Sequence, residues 1–168
     1  MFLSEIEKID SSTIVYIDES GIDNNEVYEY GWAKIGDRLH DVKPSESTQR
    51  LSMISALNNS CLIATLVFEG YTNREVFITY LKEVLVPTLK KGQVIVMDNA
   101  SYHKGPEIEK IINDAQCSLK YLPSYSPDLN PIEHYWHSKK NSLRKNIKSC
   151  NQDLFQAAEL TFHEIGQS

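Results

Sequence analysis

Apolar positions along the chain follow two rhythms: short β-branched or aromatic runs closed by turn residues, and longer stretches with a helical period. Residues 13 to 18 (TIVYID), 28 to 35 (YEYGWAKI) and 61 to 68 (CLIATLVF) show the first rhythm and predict three strands in an antiparallel meander. Residues 73 to 86 place Val76, Phe77, Tyr80, Leu81 and Val84 on one helical face, with Asn73 as N-cap and Pro87 as the stop. A strand follows at 93 to 98 (QVIVMD), then a helix near 105 to 115 opened by Pro106, a short strand at 118 to 122, and two helices near 130 to 147 and 151 to 165. This order predicts an α/β fold in which a mixed five-stranded sheet carries helices on its faces. A strand that follows a crossover helix pairs in parallel, so the fourth strand is expected beside the first.

Two of the predicted strands run straight into an acid. Asp18 closes TIVYID and Asp98 closes QVIVMD. Parallel neighbours are about 4.8 Å apart, so the two carboxylates would meet at the carboxyl edge of the sheet. Carboxylates crowded into a partly buried site repel each other, and a raised pKa or a bound cation relieves the repulsion. Magnesium takes oxygen ligands and retains several waters, which suits such a site. The competing reading is structural: each Asp ends a strand and satisfies turn amides. Glu19 is a poorer ligand candidate than Asp18, because strand alternation sends it to the other face.

Composition narrows the class. A length of 168 residues with 41% hydrophobic and 24% charged content fits one domain over residues 1–168 with a real core, and excludes a disordered chain. No apolar run reaches the length of a membrane span and MFLSEIEKID lacks the pattern of a signal peptide, so a cytoplasmic location is expected. Cys61, Cys117 and Cys150 are far apart and odd in number, as reduced thiols are. The net charge of -6 argues against a freestanding nucleic-acid binder. That average hides an asymmetry: residues 1–30 carry eight Asp or Glu against the single Lys8, whereas residues 134–148 hold Lys139, Lys140, Arg144, Lys145 and Lys148 without an acid. The basic stretch reads either as a phosphate track or as a solvated helix face.

The segment YLPSYSPDLNPIEHYWHSKK, residues 121 to 140, supplies a third acid. Pro123, Pro127 and Pro131 hold an extended approach, Asn130 is placed to cap a helix, and Glu133 follows three residues later. That is capping-box spacing, so Glu133 is either a ligand or a residue bonding back to the amide of Asn130. Glu133, His137, Lys140 and Arg144 share one side of the predicted helix, beside an apolar side of Ile132, Trp136, Leu143 and Ile147. His134 and His137 lack the further ligands that a zinc site needs.

Taken together, DES at 18–20, YGWAKIG at 30–36, MDNASYHKG at 97–105 and LPSYSPDLNPIEHYWHSKK at 122–140 resemble the catalytic domain of DDE transposases from bacterial insertion sequences related to mariner. The resemblance covers nearly all of the chain, and 34 residues separate Asp98 from Glu133, as that family's second and third acids require. It implies an RNase H-like fold, with Asp18, Asp98 and Glu133 as the catalytic, metal-binding triad for two Mg2+ or Mn2+ ions. It implies a metal-dependent endonuclease and strand transferase that cleaves and joins DNA at transposon ends, working as a homodimer in a synaptic complex. Asp128 belongs to the approach loop and is not the matched third acid. Asn99 and His103 match the family's DNAxxH stretch, where the histidine orients the second Asp, contacts phosphate or fixes the loop; His103, Lys139, Lys140 and Arg144 are the candidate DNA contacts. Relatives carry helix-turn-helix modules ahead of this domain, and none is expected here because the strand signals start by residue 13. A separate or missing recognition domain follows from that reading. The alternative function is a catalytically idle remnant that regulates a full-length transposase as an interaction module.

Overall fold

The computed structural model describes residues 2–23, 49–150 and 153–163. Five strands, β1 (Ile14–Asp23), β2 (Arg50–Asn58), β3 (Cys61–Glu69), β4 (Val94–Met97) and β5 (Ser118–Tyr121), form one mixed sheet in the order β3-β2-β1-β4-β5. The β1–β2 and β2–β3 pairs are antiparallel, whereas β1–β4 and β4–β5 are parallel. The helices are α1 (Phe2–Ile6), α2 (Arg74–Thr79), α3 (Pro106–Asp114), α4 (Ile132–Ser149) and α5 (Leu154–His163).

Strand alternation divides the core. Val15, Ile17, Ile54, Ala56, Ile95 and Met97 face Phe77, Tyr80, Leu81 and Leu85 of the α2 segment and Ile108 and Ile112 of α3. The opposite face presents Ile22, Leu51, Met53 and Leu57 to Ile132, Trp136, Leu143 and Ile147 of α4 and to Leu154, Ala157 and Ala158 of α5. The apolar stripe predicted for α4 is thus the stripe it buries. Full burial of a side chain such as Leu143 or Ile147 contributes about 1.5–3 kcal/mol, which fixes the rotation of α4 and with it the direction of its polar side.

Several elements differ from the sequence expectation. The strand predicted at 28–35 and the motif at 30–36 lie outside the described residues. Among the described residues the strand paired antiparallel with β1 is β2, which the hydropathy pattern does not reveal. Residues 51–57 are buried without interruption, so the strand is covered on both faces and loses the two-residue alternation of a half-exposed one. Its polar members are satisfied in place: the Ser52 hydroxyl donates to the Gly70 carbonyl, and the Ser55 hydroxyl pairs with Thr65 Oγ1 at 2.7 Å. Asn59 and Ser60, both at positive φ (49° and 62°), make the tight connection from β2 to β3.

Asn73 caps α2 as expected, its Oδ1 accepting from Val76 N at 2.9 Å. The helix then widens into a π turn over Tyr80–Leu85 and closes in a 3-10 turn over Val86–Thr88 that contains Pro87. Pro106 opens α3 after Gly105, whose φ of 121° favours glycine. At the chain's end α5 starts at Leu154 rather than at 151, and residues 164–168 lie outside the described part. Among the described residues no helix is long and apolar enough to cross a membrane.

Candidate active site

Asp18 does not end its strand. β1 continues to Asp23, paired with β2 throughout (Asp23 opposite Arg50), but its parallel pairing with β4 stops at Tyr16 opposite Val96. Continuing that register by two residues sets Asp18 level with Asp98, the first residue beyond β4. Asp18 therefore stands where one side of β1 becomes open while the other is still paired. A cleft forms in that opening.

The third acid is delivered by α4. Trp136 Nε1 donates to Asp18 Oδ2 at 3.1 Å, and Asn130 Nδ2 reaches the Ile17 carbonyl at 3.4 Å, so the start of α4 is tied to β1 on both sides of Glu133. The capping box is absent. Asn130 N bonds to the Pro127 carbonyl at 2.9 Å, its Oδ1 accepts from Ile132 N at 3.4 Å, and α4 begins at Ile132 with Pro131 in the capping position. Among the described residues the exposed Glu133 carboxylate accepts no hydrogen bond.

Asp18, Asp98 and Glu133 line one cleft of about 400 Å³, together with Asn99, Pro123, Ser124, Tyr125 and Asn130. Asn99 Nδ2 donates to Ser124 Oγ at 3.1 Å and ties the turn after β4 to the proline-rich segment that forms the other wall. A second, more polar cleft of about 560 Å³ lies on the far side of Glu133, lined by Glu19, Arg50, Tyr71, Tyr102 and Lys140. Arg50 pairs with Asp23 at 3.3 Å and lies 4.7 Å from the Tyr71 ring centre.

The two aspartates sit in opposite electrostatic environments. Burial, then the nearby charge of Glu133, with smaller contributions from Glu19 and Asp98, pushes the Asp18 carboxyl up from 3.8 to about 8. Asp98 is held below the usual carboxylate range, chiefly by the hydrogen bond from His103 and further by the Ala100 amide at 3.0 Å, against the effect of burial. His103 lies between two acids: Nδ1 contacts Asp98 Oδ1, and Nε2 contacts Glu19 Oε1 at 2.9 Å. Burial opposes its charge, but these two hydrogen bonds and the charges behind them raise the imidazole from 6.5 to about 9. Tyr102 Oη donates to Glu19 Oε2 at 2.8 Å, and burial followed by the Glu19 charge pushes its phenol up.

The predicted residues thus separate by location. His103 is only 2% exposed, with both ring nitrogens on carboxylates. Lys139, Lys140 and Arg144 are half-buried along α4, and Lys145 and Lys148 are exposed. His137 Nε2 pairs with Asn141 Nδ2 at 3.3 Å, and Asp128 is exposed in a 3-10 turn over Pro127–Leu129. Sequence reasoning missed Trp136 as a donor to Asp18 and Glu19 as a partner of His103. Both are contacts between distant segments, and no local spacing encodes them.

For a divalent cation the donor chemistry fits: three carboxylates with hard oxygen atoms border one cleft, and the most buried of them is destabilised as an anion until a positive charge arrives. Among the described residues no three His, Cys, Asp or Glu side chains already stand as ligands about one point.

A family model described as DDE superfamily endonuclease matches residues 13–156. The Tc1 transposase of Caenorhabditis elegans is 28% identical over 87 residues, covering 52% of this chain and 32% of that protein. The chain spans about a third of the length of the curated relatives it matches. Among solved structures, the Mos1 strand transfer complex aligns with a TM-score of 0.62 at 16% identity over 98% of this chain and 55% of that one. The Mos1 mariner paired-end complex with Mn aligns with a TM-score of 0.60, also at 16% identity, over 99% of this chain and 55% of that one. The five-stranded sheet with helices on both faces is accordingly RNase H-like, and the match over residues 13–156 makes this chain a member of the DDE superfamily endonucleases.

Proposed function

We propose that this chain is the catalytic domain of a transposase, which cleaves and joins DNA phosphodiester bonds at transposon ends with Asp18, Asp98 and Glu133 as its metal-binding acids. The observation that carries the proposal is the shared cleft: one acid from mid-β1, one just past β4 and one from the first turn of α4 border the same opening at the carboxyl edge of a parallel strand pair. An acid held at about 8 by burial and by the charges of Glu133, Glu19 and Asp98 is what a cation site looks like before the charge is supplied. Asp18, Asp98 and Glu133 would hold two Mg2+ or Mn2+ ions, and these would supply activation of water or a DNA 3′-hydroxyl and stabilisation of the leaving oxygen.

The chain's own residues define the rest. Trp136 holds Asp18 Oδ2 by its indole N–H. His103 and the Ala100 amide hold Asp98 Oδ1, while Oδ2 accepts no hydrogen bond among the described residues. Glu133, exposed and unbonded, is the acid with torsional freedom to close on the site. Lys139, Lys140 and Arg144 supply phosphate contacts beside Glu133; positive charge of this kind positions a DNA strand without reading its sequence. DNA is the substrate, and synapsis of two ends calls for a second copy of this chain together with a sequence-reading module from the same or another polypeptide.

The deciding experiment is a cleavage assay on DNA carrying the matching transposon ends, with Mg2+, with Mn2+ and with chelator. Cleavage that needs the metal and disappears in Asp98→Asn, with the melting profile retained, is the expected result. Metal-independent cleavage, or wild-type activity in Asp98→Asn, would falsify the assignment. A folded wild-type chain that binds the metal and never cuts would favour the idle, regulatory reading.

A further inference from the structure

We propose that Glu19 is a positioning residue which sets the orientation of Asp98 through His103, and so tunes the metal affinity of the cleft from the opposite face of the sheet; this rests on the reading of Asp98 as a metal ligand.

Alternation along β1 turns Glu19 away from Asp18, and Glu19 does not line the cleft shared by the three acids. Its carboxylate is nevertheless nearly buried, 13% exposed, and both oxygens are engaged: Oε1 with His103 Nε2 at 2.9 Å and Oε2 with Tyr102 Oη at 2.8 Å. The connection to the cleft is made by the 3-10 turn Ser101–His103, which folds the chain back after β4 and sets His103 Nδ1 against Asp98 Oδ1. The imidazole is fixed on every side. Phe77 and Tyr102 pack on it with ring centres 4.2 and 4.4 Å away, and Tyr121 Oη donates to the His103 carbonyl at 2.8 Å.

The two nitrogens of an imidazole point out of one rigid plane, so a contact held at Nε2 constrains where Nδ1 is placed. By holding Nε2 at 2.9 Å, Glu19 fixes the plane and the in-plane rotation of the ring that sets Nδ1 against Asp98. Asp98, itself 48% exposed, would otherwise be held at the cleft wall by the Ala100 amide alone among the described residues. Partners of metal ligands of this kind typically change metal affinity by about 10–100-fold when removed.

The test measures Mn2+ binding to the 168-residue chain by electron paramagnetic resonance, alongside melting temperature. Glu19→Ala and Glu19→Gln should each weaken Mn2+ binding by about tenfold or more. Glu19→Gln keeps an acceptor for Tyr102 and guards against a simple failure to fold. His103→Asn retains an N–H near the position of Nδ1 but cannot reach Glu19. Mn2+ affinity should fall in that variant too, because the route from Glu19 to Asp98 is cut, and adding Glu19→Gln to it should cost nothing further. Unchanged Mn2+ affinity in both Glu19 variants, even with lowered stability, overturns the proposal, as does a further loss on adding Glu19→Gln to His103→Asn as large as Glu19→Gln causes alone. Asp98→Asn separates the two levels: if it abolishes Mn2+ binding while the Glu19 variants do not alter it, only the Glu19 inference fails. If Asp98→Asn leaves binding intact, the metal-site reading fails and takes this inference with it.

Discussion

Replacing Asp18 by Asn removes the most perturbed acid of the cleft while keeping an oxygen for Trp136 Nε1, so stability and metal binding should move in opposite directions. The folded protein holds the Asp18 proton up to about 8, whereas an unfolded chain releases it near 3.8. Between those values the native state binds more protons than the unfolded state, so stability falls as pH rises and the whole cost is present above about 8. At about 1.4 kcal/mol for each tenfold difference in proton affinity the upper bound is about 6 kcal/mol; relaxation and water entry through the open cleft reduce it to about 2 kcal/mol. For a domain of this size that is about 4–8 °C in Tm. Asp18→Asn should therefore melt higher than wild type at pH 8 in chelator, with the gain shrinking towards pH 4. His103, raised to about 9, also contributes stability that is full below 6.5 and lost as pH rises through 9, but it is present in both proteins and largely cancels in the difference. Adding Mg2+ at pH 8 should stabilise the wild type and leave Asp18→Asn unmoved. Melting curves from pH 4 to pH 9, with and without Mg2+, test the reasoning. A Tm difference that stays constant across that range, or a variant that melts lower than wild type at every pH, would refute it.

Three other substitutions probe separate parts of the structure. Glu133→Gln should abolish metal-dependent cleavage and shift Tm little, since no capping bond is lost and the small favourable contact of an acid with a helix N-terminus, about 0.3–1 kcal/mol, is offset by relief of its repulsion with Asp18; full activity in that variant would remove Glu133 from the site. Replacing Lys139, Lys140 and Arg144 together by Ala should weaken DNA binding similarly for all sequences and reduce the slope of log affinity against log salt by about 3, which a filter-binding titration at several salt concentrations reads directly. Phe77→Ala, which empties a fully buried position against His103, should cost about 3–5 kcal/mol in urea unfolding; a loss below 1 kcal/mol would mean that this face of the sheet is not packed as described.

The sequence by itself determined the elements whose physics is local. Asn73 capped α2, Pro106 opened α3, and the Ile132, Trp136, Leu143 and Ile147 stripe became the buried side of α4, because capping, fixed backbone angles and helical period each act over a few residues. The parallel pairing of β4 with β1 was also legible, since a crossover helix leaves little other choice. β2 was not legible, because a strand covered on both faces has no alternation to read. At the candidate site, the sequence named three acids but left a helix cap as an alternative to the ligand role of Glu133. Only the folded chain decided that the Asn130 amide is already taken by Pro127, that Asp18 sits within β1 where its β4 neighbour ends, and that His103 faces inward between Asp98 and Glu19. Those outcomes depend on which residues meet across gaps of tens of positions, such as Asp18 with Trp136 and Glu19 with His103. Such meetings are set by the packing of whole sheet faces against α2, α3 and α4, a property that no short window of sequence contains.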